Sequence, residues 1–400
     1  MPHFSIRAAR CGAATGEGDS DMTNPQVMGY AHEKFSSVRD LFAANLANGT
    51  DLGASFAATI DGELVVDLWG GWADAARTRP WEKDTIVNVY STTKTIVALV
   101  ALLLADRGEL DWDAPVAKYW PEFAAEGKSA VKVRHLLSHQ AGLPNLPKEA
   151  APDDIYDWDK MTSLLAAKEL EYAPGTIYCY HGNTQGYLIG EVVRRITGKT
   201  IGRYFREELA EPMGADFFIG LPESEDGRVA ELIPPVMKGP PPKMVMNELI
   251  KKAFMDPARN VALTGTRAWR GAEMPATNGH GNARAVARLI SILANGGVAD
   301  GKRFLSEAGS RRALELQFEG AELHNATPIR QGMGVYLLAV TNMLPGPNVA
   351  WGGGMGGSLA VIDYDSRATF AYAMNTLRFG PNVRGAALSA AMWSVMANDI

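Results

Sequence analysis

The sequence predicts an α/β (α+β) protein: an antiparallel sheet flanked by helices, built from both chain ends, with an inserted mainly helical domain. Three observations predict it. Apolar strand-like runs joined by tight turns occur near residues 50–70 and again near 332–375. The chain between them carries apolar residues at helical spacing. One helical pattern precedes the first strands and another follows the last.

Each element has its own signal. "YAHEKFSSVRDLFAANLANG" sets Phe35, Val38, Phe42 and Leu46 on one helical face and closes at Asn48-Gly49. "ASFAATIDGELVVDLWGG" follows as two strands around Asp61-Gly62, a dipeptide whose residues tolerate the positive φ of a two-residue hairpin. Helical patterns then run over Thr93–Arg107, Lys132–Ser138, Asn183–Ile196, Ile201–Ala210 and Asn282–Asn295. The Pro-rich "IPPVMKGPPPKM", Ile233–Met244, reads as a long connector or pocket flap. "GMGVYLLAV", "SLAVIDY" and "ATFAYAMN" return to strands, with Asp365-Ser366 turning the last pair, and "RGAALSAAMWSVMA" is a terminal helix. The expected division is an α/β domain from 25–90 together with 283–400, and a mainly helical domain over 91–282, with the active site at their junction.

Composition narrows the function classes. With 46% hydrophobic and 21% charged residues the chain is ordinary globular material, able to bury a large core. A net charge of -6 gives no electrostatic footprint for nucleic acid, and no basic block suggests a membrane surface. The longest apolar run, Ile96 to Ala105, is too short to span a bilayer. Cys11 and Cys179 make no disulfide framework. Residues 1–24 lack a continuous apolar core of the secretory kind and read as a disordered leader, with Met22 a second start. A cytoplasmic protein is expected.

The chemistry begins in "VYSTTKTIVALVALLLADRG". Ser91 falls at or beside the N-cap of an apolar helix, and Lys94 lies one turn later on the same face. A positive charge is unfavourable there, and a buried lysine is costly. Both effects lower its pKa from roughly 10.4, which is what a lysine acting as base for a serine nucleophile requires. A second copy of the spacing, Ser129…Lys132, opens only a short charged segment.

Two further stretches complete a constellation. In "PGTIYCYHGNTQGYLIGEVVRRITG", Tyr180 lies between a Pro-Gly turn and an amphipathic helix, where it can share a proton with a lysine; Tyr178 and Tyr187 compete for that role. In "AWGGGMGGSLAVIDY", Gly352, Gly354 and Gly357 formally match a dinucleotide fingerprint, but a strand follows where a helix is needed. Glycines on a strand edge instead admit a ligand and offer N–H groups to an oxyanion. Other constellations fail. No G-x-S-x-G occurs, and Ser138 and His139 are helix neighbours that point apart. His135 and His139 lack a third metal ligand, His181 stands alone, and His280 reads as a pocket-wall residue.

Together these elements resemble the serine β-lactamase-like superfamily, which includes class C β-lactamases, D-Ala-D-Ala carboxypeptidases and family VIII carboxylesterases. "STTK" is similar to its S-x-x-K box, "HLLSHQAGLP" to a recurring stretch, and "GYLIGEVVRRITGKTIGRYFREELAEPMGADFFIGLP" looks closest to the esterase branch. The resemblance implies Ser91 as nucleophile and Lys94 with Tyr180 as the proton-handling pair. It also implies an oxyanion hole from the N–H groups of Ser91 and Gly354, and a substrate-binding wall of Trp351, Gly352 and Gly353. Two departures bear on substrate. The Tyr-x-Asn of lactamases is displaced, leaving Asn183 as the amide-holding residue, and Trp351 stands where their third box carries lysine. An indole suits a neutral ester and does little for an anionic lactam. The expectation is a serine carboxylesterase acting on a small-molecule, short-chain acyl ester, with no cofactor and no metal. The alternatives are a β-lactamase, a D-Ala-D-Ala peptidase or amide hydrolase, or a non-catalytic penicillin-binding-like protein.

Overall fold

A two-residue turn that demands positive φ at both positions forms where the sequence offers Asp61-Gly62, with φ of 52° and 85°. It joins β2 (Gly53–Ile60) to β3 (Glu63–Gly71), and β1 (Val27–Ala31) pairs along the outer edge of β3. The computed structural model describes residues 26–235, 252, 256–324, 326–337, 346–378 and 383–397. The leader expected over 1–24, and 236–244 of the Pro-rich piece, lie outside these residues.

The second half of the sheet comes from the far end of the chain: β9 (Phe318–Ala321), β10 (Pro328–Gln331), β11 (Tyr336–Leu337), β12 (Val349–Gly353), β13 (Leu359–Asp363) and β14 (Ala368–Met374). The strand order is β1-β3-β2-β14-β13-β12-β11-β10-β9, every pairing antiparallel. The two ends meet where β2 pairs with β14, from Ala54 opposite Met374 to Ile60 opposite Ala368. One antiparallel sheet from both termini is therefore the observed architecture.

Every residue of β14 is buried, so both faces of the sheet are covered there. Successive side chains alternate between faces. Thr369 bonds to the Ala287 carbonyl of the helix Ala283–Ala294, at 2.9 Å. Phe370 packs edge-on against Trp393 of the C-terminal helix Arg384–Ala397, at 4.9 Å. The N-terminal helix α1 (Ser36–Ala47) buries Val38, Phe42 and Leu46 and packs beside the C-terminal helix.

Helix α2 (Thr92–Asp106) is the centre of the molecule, buried from Thr92 through Leu104. A helix apolar all round needs neighbours all round. It is packed by β12, by the helix Ala283–Ala294 and by α5 (Thr184–Thr197). Helices α3 (Val133–Leu137) and α4 (Trp158–Ala167) complete the wall around α5. Two short sheets finish the fold: β4 (Val87–Asn88) and β5 (Phe217–Phe218) on either side of β6 (His280–Gly281), and the hairpin β7 (Val298–Ala299) with β8 (Lys302–Arg303). His280 sits in β6 fully buried, not on a pocket wall, and burial pushes its imidazole down to about 3.

Candidate active site

Ser91 is the N-cap of α2, but its hydroxyl caps nothing. A capping serine normally spends its oxygen on the first free amides of the helix. Here Oγ accepts from the Tyr180 hydroxyl at 2.8 Å and lies 3.2 Å from Lys94 Nζ. The turn into the helix is strained: Tyr90, immediately before Ser91, holds a left-handed φ of 45°. Its ring is pinned edge-on to Trp269, at 6.3 Å.

Lys94 is 6% exposed and makes two short bonds to backbone carbonyls, 2.7 Å to Gly182 and 2.8 Å to Ala276. Burial lowers its pKa from the ordinary lysine value, against an opposing pull from Tyr180 and Asp256. A neutral amine has two N–H donors and one lone pair. The two carbonyls take the donors, which leaves the lone pair facing Ser91 Oγ.

Tyr180 is positioned by its own neighbours. Its backbone N–H donates to Glu322 Oε1 at 3.2 Å, and its ring lies 4.7 Å from the imidazole of His139. Neither competitor reaches the serine: Tyr178 bonds to Tyr336 and Tyr187 to the Ile155 carbonyl. Ser129 lies in a short 3-10 turn and lines neither the recess nor the cleft that Ser91 borders. His139 is a residue that sequence reasoning missed. It has φ of 59°, which ends α3 and swings the ring away from the helix face, beside Tyr178, Tyr180 and His181. Burial, then His181 and Lys94, push its pKa well below the usual value, so it sits there neutral.

The glycine strand forms the opposite wall. Trp351 of β12 stacks on Tyr336 at 4.7 Å and shares a small recess with Ser91, Lys94, Tyr180 and Gly353. Gly352 is required by packing: a Cβ there would lie 2.0 Å from Thr95 Oγ1 of α2. Gly354 is not the oxyanion donor expected from the sequence. Its N–H is committed to the Ser358 carbonyl at 2.9 Å, within the β12–β13 turn. Backbone N–H groups alternate in direction along a strand. The Gly353 N–H therefore faces away from β13, on the edge that borders Ser91. The Ser91 N–H precedes the helix and has no intrahelical acceptor.

Asn183 lines the cleft next to Lys94's carbonyl partner Gly182. Its side-chain oxygen accepts from Thr277, and its amide donates to Asp256 Oδ1 at 3.0 Å. The two bonds fix the residue in the cleft wall. The serine opens into a cleft of about 1180 Å³, lined among others by Tyr180, Asn183, Asp256, Pro257 and Gly353. Among the described residues, one group has metal-ligating character: Cys179, Glu322 and His324, with donor atoms within 4.8 Å of one another. Glu322 and His324 Nδ1 lie 2.9 Å apart, and burial pushes the Cys179 thiol up to about 12, away from the thiolate a metal needs. Glu322 thereby brackets the Tyr180 backbone.

A nine-stranded antiparallel sheet with a serine–lysine pair at the head of a buried helix defines a serine β-lactamase-like class. The chain belongs to the beta-lactamase family, whose model matches residues 38–392. It is 35% identical over 380 residues to the esterase/beta-lactamase LipL of Mycobacterium tuberculosis (strain ATCC 25618 / H37Rv), covering 91% of this chain and 86% of that protein. The crystal structure of a family VIII carboxylesterase superimposes with a TM-score of 0.87 at 41% identity, over 92% of this chain and 100% of that one. A penicillin-binding protein homolog from Caulobacter crescentus gives a TM-score of 0.87 at 38% identity, over 92% and 100% of the two chains. These similarities mark the protein as a hydrolase of the beta-lactamase superfamily.

Proposed function

We propose that the protein is a serine carboxylesterase that cleaves short-chain acyl esters through an acyl-enzyme on Ser91. The observation that carries this reading is the placing of Ser91 Oγ between Lys94 Nζ and the Tyr180 hydroxyl, with an indole on the wall opposite. Similarity to a family VIII carboxylesterase and to an esterase/beta-lactamase supports it.

In acylation, neutral Lys94 takes the Ser91 proton while Oγ attacks the ester carbonyl. The carbonyl oxygen becomes an alkoxide facing the N–H groups of Ser91 and Gly353, donors fixed before the reaction begins. Collapse of the tetrahedral species breaks the bond to the alcohol oxygen. That oxygen takes the Tyr180 proton, and the tyrosine recovers one from the Lys94 ammonium, whose Nζ lies 5.0 Å from its ring centroid. Water then attacks the acyl-enzyme and loses its proton to the same pair, restoring Ser91.

Lactam cleavage is the weaker reading. Its substrate carboxylate is best held by a fixed cation in a charge-assisted contact. By the family resemblance Trp351 stands at that place, and an indole carries no charge to offer. A panel of chromogenic esters from acetyl to hexanoyl, set beside one chromogenic cephalosporin, tests the choice. Higher kcat/KM on the short esters is the expected result. Higher kcat/KM on the cephalosporin would overturn it.

A further inference from the structure

Asp256 is a carboxylate that the proposed reaction does not use, and it lies in the wall of the reactive cleft. It is joined to the catalytic cluster through a short chain of side chains. Thr277 donates to the Asn183 oxygen, and the Asn183 amide donates to Asp256 Oδ1 at 3.0 Å. Asn183 and Thr277 each follow directly on a residue whose carbonyl holds Lys94, namely Gly182 and Ala276. The Ala258 N–H adds a second bond to the same oxygen, at 2.9 Å. Oδ1 is thus fixed from two sides. Oδ2 has no hydrogen-bond partner among the described residues.

The other charges around the cleft are paired or exposed. Lys168 and Lys252 both engage Glu171, at 2.7 and 3.4 Å. Lys148 and Arg259 are on the exposed rim, where solvent screens them. Two cations act on Asp256: Arg259, which is exposed, and then Lys94, which is buried and must be neutral to act as base. In that state the Asp256 carboxylate lacks a buried counter-charge. Burial raises its pKa against the opposing pull of its bonds from Ala258 and Asn183 and of Arg259 and Lys94.

We propose that Asp256 is a specificity-determining residue that selects esters carrying an ammonium group, the substrate supplying the missing positive charge. The inference rests on the serine-esterase reading and narrows its substrate class. Asp256 is half-buried in the cleft wall, and a carboxylate so placed attracts a cationic substrate and repels a carboxylate-bearing one more strongly than a fully exposed group does. The recess beside Ser91 adds Trp351 and Tyr336, aromatic rings of the kind that also favour a cation. The same electrostatics work on Lys94, because a cation bound in the cleft disfavours its ammonium form.

Two matched pairs of substrates test this, followed by acid release at constant pH. Butyrylcholine and 3,3-dimethylbutyl butyrate differ by a charge in the alcohol part. Ethyl 6-aminohexanoate and ethyl heptanoate differ by a charge in the acyl part. In at least one pair the cationic ester should show about ten-fold higher kcat/KM at low salt, with the preference shrinking as salt is raised. Asp256→Asn should collapse that ratio towards one whatever it does to the absolute rate, and Asp256→Glu should retain part of it. Equal kcat/KM within both pairs for the wild-type protein would overturn the inference alone, as would a ratio that survives in Asp256→Asn. Absence of hydrolysis of all four esters would overturn the esterase reading as well.

Discussion

The hydroxyl of Tyr180 donates to Oγ of Ser91 at 2.8 Å, although 89 residues of chain separate them. The bond gives the serine oxygen a donor on one side and the Lys94 amine on the other. Tyr180→Phe should lower kcat by about 10² or more, the usual scale for a positioned acid–base group. Lys94→Ala should do the same. The double variant should be little worse than the poorer single one, because groups acting as a unit are not additive. Clearly multiplicative losses in steady-state kinetics would show independent roles.

The pH profile reports on Lys94. Burial lowers its pKa, so the neutral base becomes populated at lower pH than for a free lysine. kcat/KM should rise with pH along a limb whose midpoint lies below the ordinary lysine range. Lys94→Arg keeps the charge but cannot be deprotonated. That variant should lose activity and the limb with it. An unchanged limb in Lys94→Arg would assign the titration to another group.

The oxyanion strand separates two adjacent glycines. A Cβ on Gly354 would meet the Val89 carbonyl at 2.1 Å, whereas one on Gly353 meets its nearest atom at 3.4 Å. Gly353→Ala should therefore fold with modest loss, and Gly354→Ala should lower the melting temperature markedly. Gly353→Pro removes the N–H and should cost a further 10²–10³ in kcat relative to Gly353→Ala, the scale of losing one oxyanion donor. Full activity in Gly353→Pro would return the role to another amide.

Acid should destabilise the fold before carboxylates titrate. His139, His181 and His280 are buried and their pKa values lie below the unfolded value, with His181 lowered to about 4 and His280 to about 3. Below about pH 6.5 the unfolded chain binds protons that the native state refuses. The stabilisation is complete above that pH and is lost as pH falls towards the folded values. For His181 alone it is on the order of 3 kcal/mol. Melting temperatures measured from pH 7.5 to 4.5 should fall steadily below about 6.5. A flat curve over that range would contradict the assignment.

How much of this was legible beforehand depended on how local the signal was. The hairpin at Asp61-Gly62, the apolar α2 and the terminal helices are set by periodicity and turn chemistry within a dozen residues, and they appear where the pattern puts them. Ser91 and Lys94 sit within one helical turn, so their spacing carried over directly. The short strands at the β9 end of the sheet did not carry over. β9 and β10 are four residues each, contain Gly320 and Pro328, and lack an alternating apolar pattern. The one assignment that depends on hydrogen-bond parity, the Gly354 N–H as oxyanion donor, did not carry over either. Which of Gly353 and Gly354 turns its N–H outward is fixed by the partner strand, and the pairing of Asn183 with Thr277 and Asp256 joins segments far apart. His139 was passed over because helix geometry points it away from Ser138. Its left-handed φ breaks that geometry and delivers the ring to Tyr180.

Covalent labelling tests the central claim most directly. A fluorophosphonate probe phosphonylates an activated serine, and intact-mass and peptide analysis locate the adduct. The account predicts one adduct, on Ser91, that disappears in Ser91→Ala together with ester hydrolysis and persists unchanged in Ser129→Ala. An adduct retained by folded Ser91→Ala, or hydrolysis that survives in it, would contradict the account.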